Sequence, residues 1–166
     1  MNHRADGILN AKELEGLTPS SERLTRGPVV VIECVENIPC DPCMEACPKG
    51  AITISGDLNC TPSVDPELCD GCGVCISACP GLAIFSIDTS GDADPATISL
   101  PYEFLPLPSR GETVVALDRS GEPVCEAKVV RVLSSKALDR TPIVTLELPG
   151  EHAMAVRHFR RKETSD

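Results

Sequence analysis

The cysteines of this chain are spaced most regularly in the stretch Cys69-Asp70-Gly71-Cys72-Gly73-Val74-Cys75-Ile76-Ser77-Ala78-Cys79-Pro80. The pattern is C-x2-C-x2-C-x3-C-P, and a shift of 32 residues finds it again earlier in the chain. The shift places the following four residues on Cys72, Cys75, Cys79 and Pro80: Cys40, Cys43, Cys47 and Pro48. Each half therefore predicts a cysteine loop, a short helical turn that ends at Cys-Pro, and an apolar strand. Two such halves form a pseudo-twofold unit.

Cysteines at this spacing are typical of bacterial iron–sulfur proteins. Three cysteines two residues apart wrap a loop around one face of a cubane. Gly71 and Gly73 let the backbone turn close to the sulfides and aim amide hydrogens at them. Structural zinc is the alternative. A tetrahedral zinc ion takes only four ligands, however, and a single loop that carries Cys69, Cys72 and Cys75 supplies one cysteine more than zinc would need from it.

Residues 29–88 resemble a bacterial-type ferredoxin with two [4Fe–4S] clusters. The resemblance implies a two-cluster ferredoxin fold of the α+β class for this segment. It also implies which cysteines share a cluster. One set is Cys69, Cys72, Cys75 and Cys47. The other contains Cys40, Cys43 and Cys79.

The first half departs from the repeat at one ligand position. The 32-residue shift that aligns every other ligand with a cysteine aligns Cys69 with Asn37. An amide side chain is a poor iron ligand. We expect Cys34, three residues earlier, to complete the set, because its C-x5-C spacing to Cys40 closes a longer loop over the same face. An open-site or [3Fe–4S] cluster is the alternative. Cys60, in the connection between the halves, is a less favoured ligand.

The rest of the chain predicts four segments. They are an N-terminal arm at 1–28, the two-cluster domain at 29–88, a linker at 89–96 and a small β domain at 97–166. The arm has a helical turn with a capping box at Asn10 and Glu13, and too few apolar residues for its own core, so we expect it to lie on a partner or on the rest of the chain.

Strand patterns are clearest in the β-branched run 28–33, which leads to Cys34. Four later runs, with a hairpin turn over 118–121, predict a small antiparallel β barrel-like unit. The runs are 97–105, 113–117, 124–133 and 143–148. The tail at 151–161 is predicted as a terminal helix or a fifth strand.

Composition excludes several classes of protein. The formal net charge is −10, with 25 acidic against 15 basic residues, so nucleic-acid binding is disfavoured. The longest apolar stretch is far shorter than a membrane span, and the polar N-terminus has no secretory signal. We therefore expect a cytoplasmic protein. Tightly spaced cysteines in that compartment indicate metal or redox ligands rather than disulfides.

Motifs for catalysis are missing from the sequence. It contains no G-x-G-x-x-G after a strand and no P-loop, and no paired carboxylates or Cys-His nucleophile stand out. Clusters bound by four thiolates have no open coordination site, which restricts them to electron transfer. We therefore expect a non-catalytic subunit whose chemistry takes place on a partner.

A second resemblance concerns residues 21–43 and the stretch 100–108. Both are similar to the small iron–sulfur subunit found beside FAD-dependent amino-acid and imino-acid dehydrogenases, the relatives of opine oxidase, hydrogen cyanide synthase and proline or hydroxyproline dehydrogenases. The Cys34-x5-Cys40 opening is itself a feature of those subunits. The resemblance implies a hetero-oligomer in which this chain accepts electrons from FAD and passes them on one at a time.

Two other functions stay open at this point. One is a free-standing two-cluster ferredoxin, although neither the arm nor the second unit would then be needed. The other is an open-site iron–sulfur enzyme, which only Asn37 supports. In the subunit interpretation, we expect the arm and the segment 97–166 to dock the cluster domain on its flavoprotein partners.

Overall fold

The structure is a computed structural model that describes residues 3–90, 94–138 and 140–162. Its main feature is a seven-stranded antiparallel sheet, accompanied by a two-stranded ribbon. The strands are β1 (Val29–Ile32), β2 (Ile52–Thr53), β3 (Ser63–Val64), β4 (Ile84–Asp88), β5 (Ala96–Pro101), β6 (Thr113–Leu117), β7 (Pro123–Leu133), β8 (Ile143–Leu148) and β9 (His158–Arg161). The large sheet has the order β1-β4-β5-β8-β7-β6-β9, and β2 pairs with β3.

The helices are short and lie in the first half of the chain. They are α1 (His3–Asp6), α2 (Ala11–Leu14), α3 (Ser21–Leu24), α4 (Pro42–Glu45) and α5 (Val74–Ala78). Two 3₁₀ turns follow at Lys136–Leu138 and Gly150–His152. Among the described residues, no helix has the length and apolar character that crossing a membrane requires.

Strand β1 forms where the β-branched run predicted it, and all four of its residues are buried. Because side chains alternate across a strand, β1 serves two apolar cores. Val31 packs into the core of the large sheet, whereas Val30 and Ile32 pack toward the cysteine-bearing helices. Each such side chain contributes about 1.5–3 kcal/mol on burial. The cysteine region is therefore built directly on one face of the sheet.

The predicted strands of the second unit are confirmed at β5 to β8, with β5 ending earlier than the predicted run. The hairpin over 118–121 joins β6 to β7, and the tail forms strand β9, which pairs with β6. The sheet continues across the predicted linker, because β4 pairs with β5 in the register Ile87↔Ile98. Residues 91–93 of that linker lie outside the described residues. The division into two domains stays a prediction.

A buried ion-pair group joins the two ends of the large sheet. Glu33 follows β1, Arg119 lies in the β6–β7 turn, and Arg157 directly precedes β9. Arg157 Nε donates to Glu33 Oε1 at 2.8 Å, and Arg119 Nε donates to Glu33 Oε2 at 2.9 Å. Burial raises the pKa of Glu33, but the hydrogen bonds and charges of the two guanidinium groups outweigh it and lower that pKa overall. Burial lowers the pKa of Arg157 to about 10, against the opposing effect of Glu33.

The N-terminal arm lies on the rest of the chain, which is one of the two places expected for it. The predicted capping box is present: Asn10 accepts from the backbone of Glu13, whose carboxylate accepts from the Asn10 backbone. Leu24 packs against the sheet core, and its carbonyl accepts a hydrogen bond from the Thr89 hydroxyl at 3.0 Å. The arm thus ends against β1 and the cysteine loops.

Candidate metal centre

The two cysteine-rich halves have matching local geometry. The backbone N–H of Ala51 donates to Cys47 Sγ at 3.3 Å, and the N–H of Ala83 donates to Cys79 Sγ at 3.5 Å. Both bonds join a cysteine to the amide four residues later, after the Cys-Pro turn. The repeat seen in the sequence therefore recurs as a repeat in hydrogen bonding. Such N–H···S bonds stabilise negative charge on a ligand sulfur.

Four cysteines surround a cavity that we name the Cys75 cavity after its most buried thiol. Its cysteines are Cys47, Cys69, Cys72 and Cys75. Three of them belong to the second half, and Cys47 comes from the end of the first half. Val30 in β1 adds a backbone N–H that donates to Cys69 Sγ at 3.5 Å. The structure thus brings together the four cysteines that the ferredoxin resemblance implies for one cluster.

A second cavity, the Cys43 cavity, lies on the other half of the repeat. Five cysteines line it: Cys34, Cys40, Cys43, Cys60 and Cys79. The resemblance implies three of these as ligands, and the sequence analysis added Cys34. Cys79 crosses over from the second half, as Cys47 does in the opposite direction. The structure therefore brings all eight predicted ligands together in two groups of four, and Cys60 joins one group as a fifth thiol.

The thiols of each cavity are close enough for their charges to interact. Burial, together with negative charge on Cys69, Cys72 and Cys47, raises the pKa of Cys75 to about 12. Burial likewise raises the pKa of Cys43 to about 11, with added effects of Cys79, Cys40 and Cys34. Several adjacent thiolates are stable only beside a strong positive charge, and metal coordination deprotonates a thiol outright. The donor sets therefore fit iron–sulfur clusters.

Cys34 lies within interaction range of the other thiols of its cavity. Its charge contributes to the raised pKa of both Cys40 and Cys43. It directly follows Glu33, whose backbone N–H donates to the carbonyl of Ala83 at 2.8 Å. The sheet therefore holds the start of the opening loop. Asn37, at the position where the repeat expects a cysteine, is exposed, and its side chain donates to the carbonyl of Asn59 at 3.4 Å.

No three His, Cys, Asp or Glu side chains within the described ranges are placed to hold one metal ion. A cubane is bound differently, because each corner iron takes one thiolate and the sulfurs stand around a cavity. Cys125 lies in β7, where it packs against the core of the sheet rather than in either cavity. His158, in β9, stacks on the Tyr102 ring with 5.9 Å between the ring centroids.

The glycines of the second loop have the predicted conformational role but a different close contact. Gly71 and Gly73 have φ of 68° and 79°, the left-handed region that favours glycine. A Cβ on Gly71 would lie 2.4 Å from the Cβ of Pro28 and 2.6 Å from its carbonyl carbon. The expectation that glycine makes room for the sulfides is thus incomplete, because at Gly71 the tight approach is to the end of the arm.

Arg23 is the residue near the site that the sequence analysis missed. It is 6% exposed, and its guanidinium donates to four carbonyl oxygens. These belong to Pro66, Gly27, Pro28 and Cys69, at 2.5, 2.9, 3.0 and 2.6 Å respectively. A buried cation is thus attached to the carbonyl of a predicted ligand. Nothing in the sequence distinguishes Arg23 from Arg26, which forms an exposed pair with Glu67.

Lys49 takes part in a surface ion pair at the Cys75 cavity. Its Nζ lies 3.1 Å from Asp70 Oδ2, both side chains are about half exposed, and both residues line the cavity. Lys49, together with the backbone N–H of Cys72, lowers the pKa of Asp70. The lysine is therefore a partly solvated charge beside the cavity, and its effect there is screened by water.

Comparison with known proteins also points to iron–sulfur chemistry. Residues 62–85 match the family described as 4Fe-4S binding domain, and they include the second cysteine loop. An uncharacterized ferredoxin of Methanocaldococcus jannaschii is 41% identical over 81 residues, which is 48% of this chain and 48% of that protein. No solved structure matches the chain. The matches support an iron–sulfur, ferredoxin-like protein.

The matches cover part of the chain. The chain spans about half the length of the curated relative it matches, and the family match covers one cysteine loop. Binding of a [4Fe–4S] cluster and a role in electron transfer are what both matches support.

Proposed function

We propose that the chain is an electron-transfer subunit that binds two [4Fe–4S] clusters, one in the Cys75 cavity and one in the Cys43 cavity. One observation carries the proposal: the eight predicted ligands line two cavities, four in each, and each cavity takes one of its four from the opposite half. A [4Fe–4S] cluster takes four cysteine ligands. The Cys43 cavity meets that number with Cys34 in place of the missing cysteine at Asn37.

The polypeptide supplies the setting that such clusters need. Bound clusters would accept and donate single electrons. The eight predicted cysteine ligands would hold every iron, so no coordination site would be left for a substrate. Backbone N–H groups of Val30, Ala51 and Ala83 donate to ligand sulfurs and stabilise their negative charge. Ile76, at 0% exposure, and Ile84, at 1%, belong to the apolar core that also includes thiols of both cavities.

The partner in this proposal is an FAD-dependent dehydrogenase that oxidises an amino or imino acid, in a hetero-oligomer with this chain. Its support is the resemblance of residues 21–43 and 100–108 to the small subunits of such enzymes. The second segment offers a surface for docking, since Phe104 is 62% exposed and Leu105 is 86% exposed. Arg23 and β1 connect the arm, the cysteine loops and the sheet. A partner that docks on any of these three parts would therefore affect the clusters.

The test is purification of the tagged full chain from its own cells under anaerobic conditions. We expect flavin and a dehydrogenase subunit to accompany it, and amino or imino acids added to the complex to reduce the clusters. Phe104→Ser with Leu105→Ser should weaken the association, while the matched surface change Leu58→Ser should leave it intact. Recovery of the chain alone, with full clusters and no flavin, would contradict the partner and favour a free-standing ferredoxin.

The free-standing ferredoxin is the second candidate because the similar archaeal protein is itself called a ferredoxin. The electron-transfer role is common to both candidates. An open-site iron–sulfur enzyme would need a thiol missing from one cavity, whereas Cys34 occupies the wall of the Cys43 cavity. Alkylation of Cys34 in the folded, iron-loaded native chain would reopen the question of which thiol completes that set.

A further inference from the structure

The two cysteine cavities differ in the number of thiols that line them. Four thiols line the Cys75 cavity, and five line the Cys43 cavity. Since a [4Fe–4S] cluster takes four cysteine ligands, the Cys43 cavity has one thiol more than its cluster would use. The additional thiol is that of Cys60, which has no counterpart in the other half of the repeat.

The loop that carries Cys60 is attached to the one irregular position of the repeat. Asn37 stands where the repeat expects a ligand, and its side-chain amide donates to the carbonyl of Asn59 at 3.4 Å. Asn59 directly precedes Cys60. The fifth thiol therefore reaches the cavity beside the position from which a cysteine is missing.

Cys60 closes an exposed turn of the backbone. Its N–H donates to the carbonyl of Asp57 at 2.9 Å, within a turn whose residues 55–59 are all exposed. A Cβ on Gly56 would lie 3.9 Å from Cys60 Sγ, so the sulfur rests over a glycine. Cys34, by contrast, lies two residues after the buried strand β1.

We propose that Cys60 is a reserve ligand of the Cys43 cavity, which binds the iron of Cys34 when the Cys34 sulfur is lost as a ligand. This inference rests on the proposed function, since it assumes a cluster in that cavity. In the exchange, Cys60 gives its proton to water as its sulfur bonds to iron. The bond from iron to Cys34 breaks, and the released Cys34 sulfur takes up a proton. No electron is gained or lost.

When Cys34 is lost as a ligand, the Cys43 cavity should therefore keep all four irons of its cluster. A cavity lined by only four thiols would lose one iron when it loses a ligand. The Cys75 cavity has no such reserve. Removal of a ligand there should leave an incomplete cluster, whereas removal of Cys34 should leave a complete cluster with a changed ligand. The asymmetry between the two cavities is therefore measurable.

The first test counts iron and acid-labile sulfide in the full chain, purified anaerobically. The variants are Cys34→Ala, Cys60→Ala and the double variant, with Cys125→Ala as the matched control outside both cavities. We expect about eight irons per chain in the native protein and in all three single variants, and fewer only in the double variant. If Cys34→Ala does not fold, Cys34→Ser replaces it, because serine keeps the size of the side chain.

Three results would overturn the proposal. The first is equal iron loss in Cys34→Ala and in the double variant. The second is full iron content in the double variant. The third is iron loss in the single variant Cys60→Ala. A native chain without about eight irons would instead contradict the proposed function, so the two failures are distinguishable.

The second test follows the thiols themselves by alkylation and mass spectrometry of the folded, iron-loaded chain. In the native protein we expect the reagent to label Cys60 and Cys125. In Cys34→Ala, labelling of Cys60 should fall at least about tenfold because its sulfur is bound to iron, while labelling of Cys125 stays the same. Equal labelling of Cys60 in both proteins would overturn the proposal.

Discussion

Arg23 donates from its Nη2 to the carbonyl oxygen of Cys69 at 2.6 Å, so the N-terminal arm is attached directly to the first cysteine of the second loop. The same guanidinium serves the carbonyls of Pro66, Gly27 and Pro28. One buried cation thus fixes the arm, the start of β1 and the loop that leads into the Cys75 cavity. It also places a positive charge near that cavity in an otherwise acidic protein.

Arg23→Gln should weaken the loop and make the cluster of the Cys75 cavity harder to reduce. The variant leaves buried carbonyls without donors, at about 1–3 kcal/mol for each unsatisfied group. It also removes a positive charge that favours the reduced cluster. We expect faster cluster loss in urea and a lower reduction potential, measured by redox titration. The matched control is Arg26→Gln, whose exposed pair with Glu67 is screened by solvent. Equal potentials in Arg23→Gln and the native chain would contradict the electrostatic role.

Gly71→Ala should disrupt the second cysteine loop. A methyl group there meets Pro28 at 2.4 Å, including contacts with its backbone, so the arm or the loop has to move. We expect loss of iron from the Cys75 cavity and destabilisation by more than about 1 kcal/mol, which iron analysis and urea unfolding would measure. Gly111→Ala is the control, since it has a similar φ of 89° but nothing within 4 Å of its Cβ. Similar iron loss in both variants would attribute the effect to backbone strain alone.

Glu33→Gln should weaken the contact between the two ends of the large sheet and so destabilise the protein. It removes the negative partner of two guanidinium groups, one of them 4% exposed, and breaking a buried pair costs about 3–5 kcal/mol. Thermal unfolding would measure the loss. Glu112→Gln is the control, because Glu112 pairs only with the less buried Arg161.

The same carboxylate predicts a pH dependence. The folded-state pKa of Glu33 is lowered from its ordinary value of 4.5, so its contribution is fully present above 4.5 and is lost as pH falls through the folded-state pKa. The native chain should therefore lose stability below about pH 4.5 more steeply than Glu33→Gln. Parallel pH profiles of the two proteins would contradict this assignment. Both profiles are compared at equal iron content.

Sequence reasoning was most successful where the determining interactions are local. The cysteine spacing and the Cys-Pro turns act over a few residues, and the structure groups these thiols as the ferredoxin resemblance implies. The β-branched run before Cys34 and the turn over 118–121 predicted β1 and the β6–β7 hairpin for the same reason. The Asn10 and Glu13 capping box was likewise readable from residues three apart.

The features that were missed depend on residues far apart in the chain. Glu33 meets Arg119 and Arg157 across separations of 86 and 124 residues, and no local pattern marks such a pair. Arg23 reaches Cys69 over 46 residues, and its neighbour Arg26 has the same chemistry at the surface. Cys60 was expected as a less favoured ligand in the connection between the halves, and only folding brings that connection to the wall of a cavity. Tertiary packing decides these contacts.

The central claim is that the chain binds two [4Fe–4S] clusters, and the most direct measurement is its iron, zinc and acid-labile sulfide content after anaerobic purification, with EPR spectra before and after reduction. We predict about eight irons and eight sulfides per chain and EPR signals of reduced cubanes that appear only after reduction. About seven irons with a three-iron signal in the oxidised protein would contradict the assignment of Cys34 as a ligand. Zinc in place of iron, or only four irons per chain, would contradict the central claim.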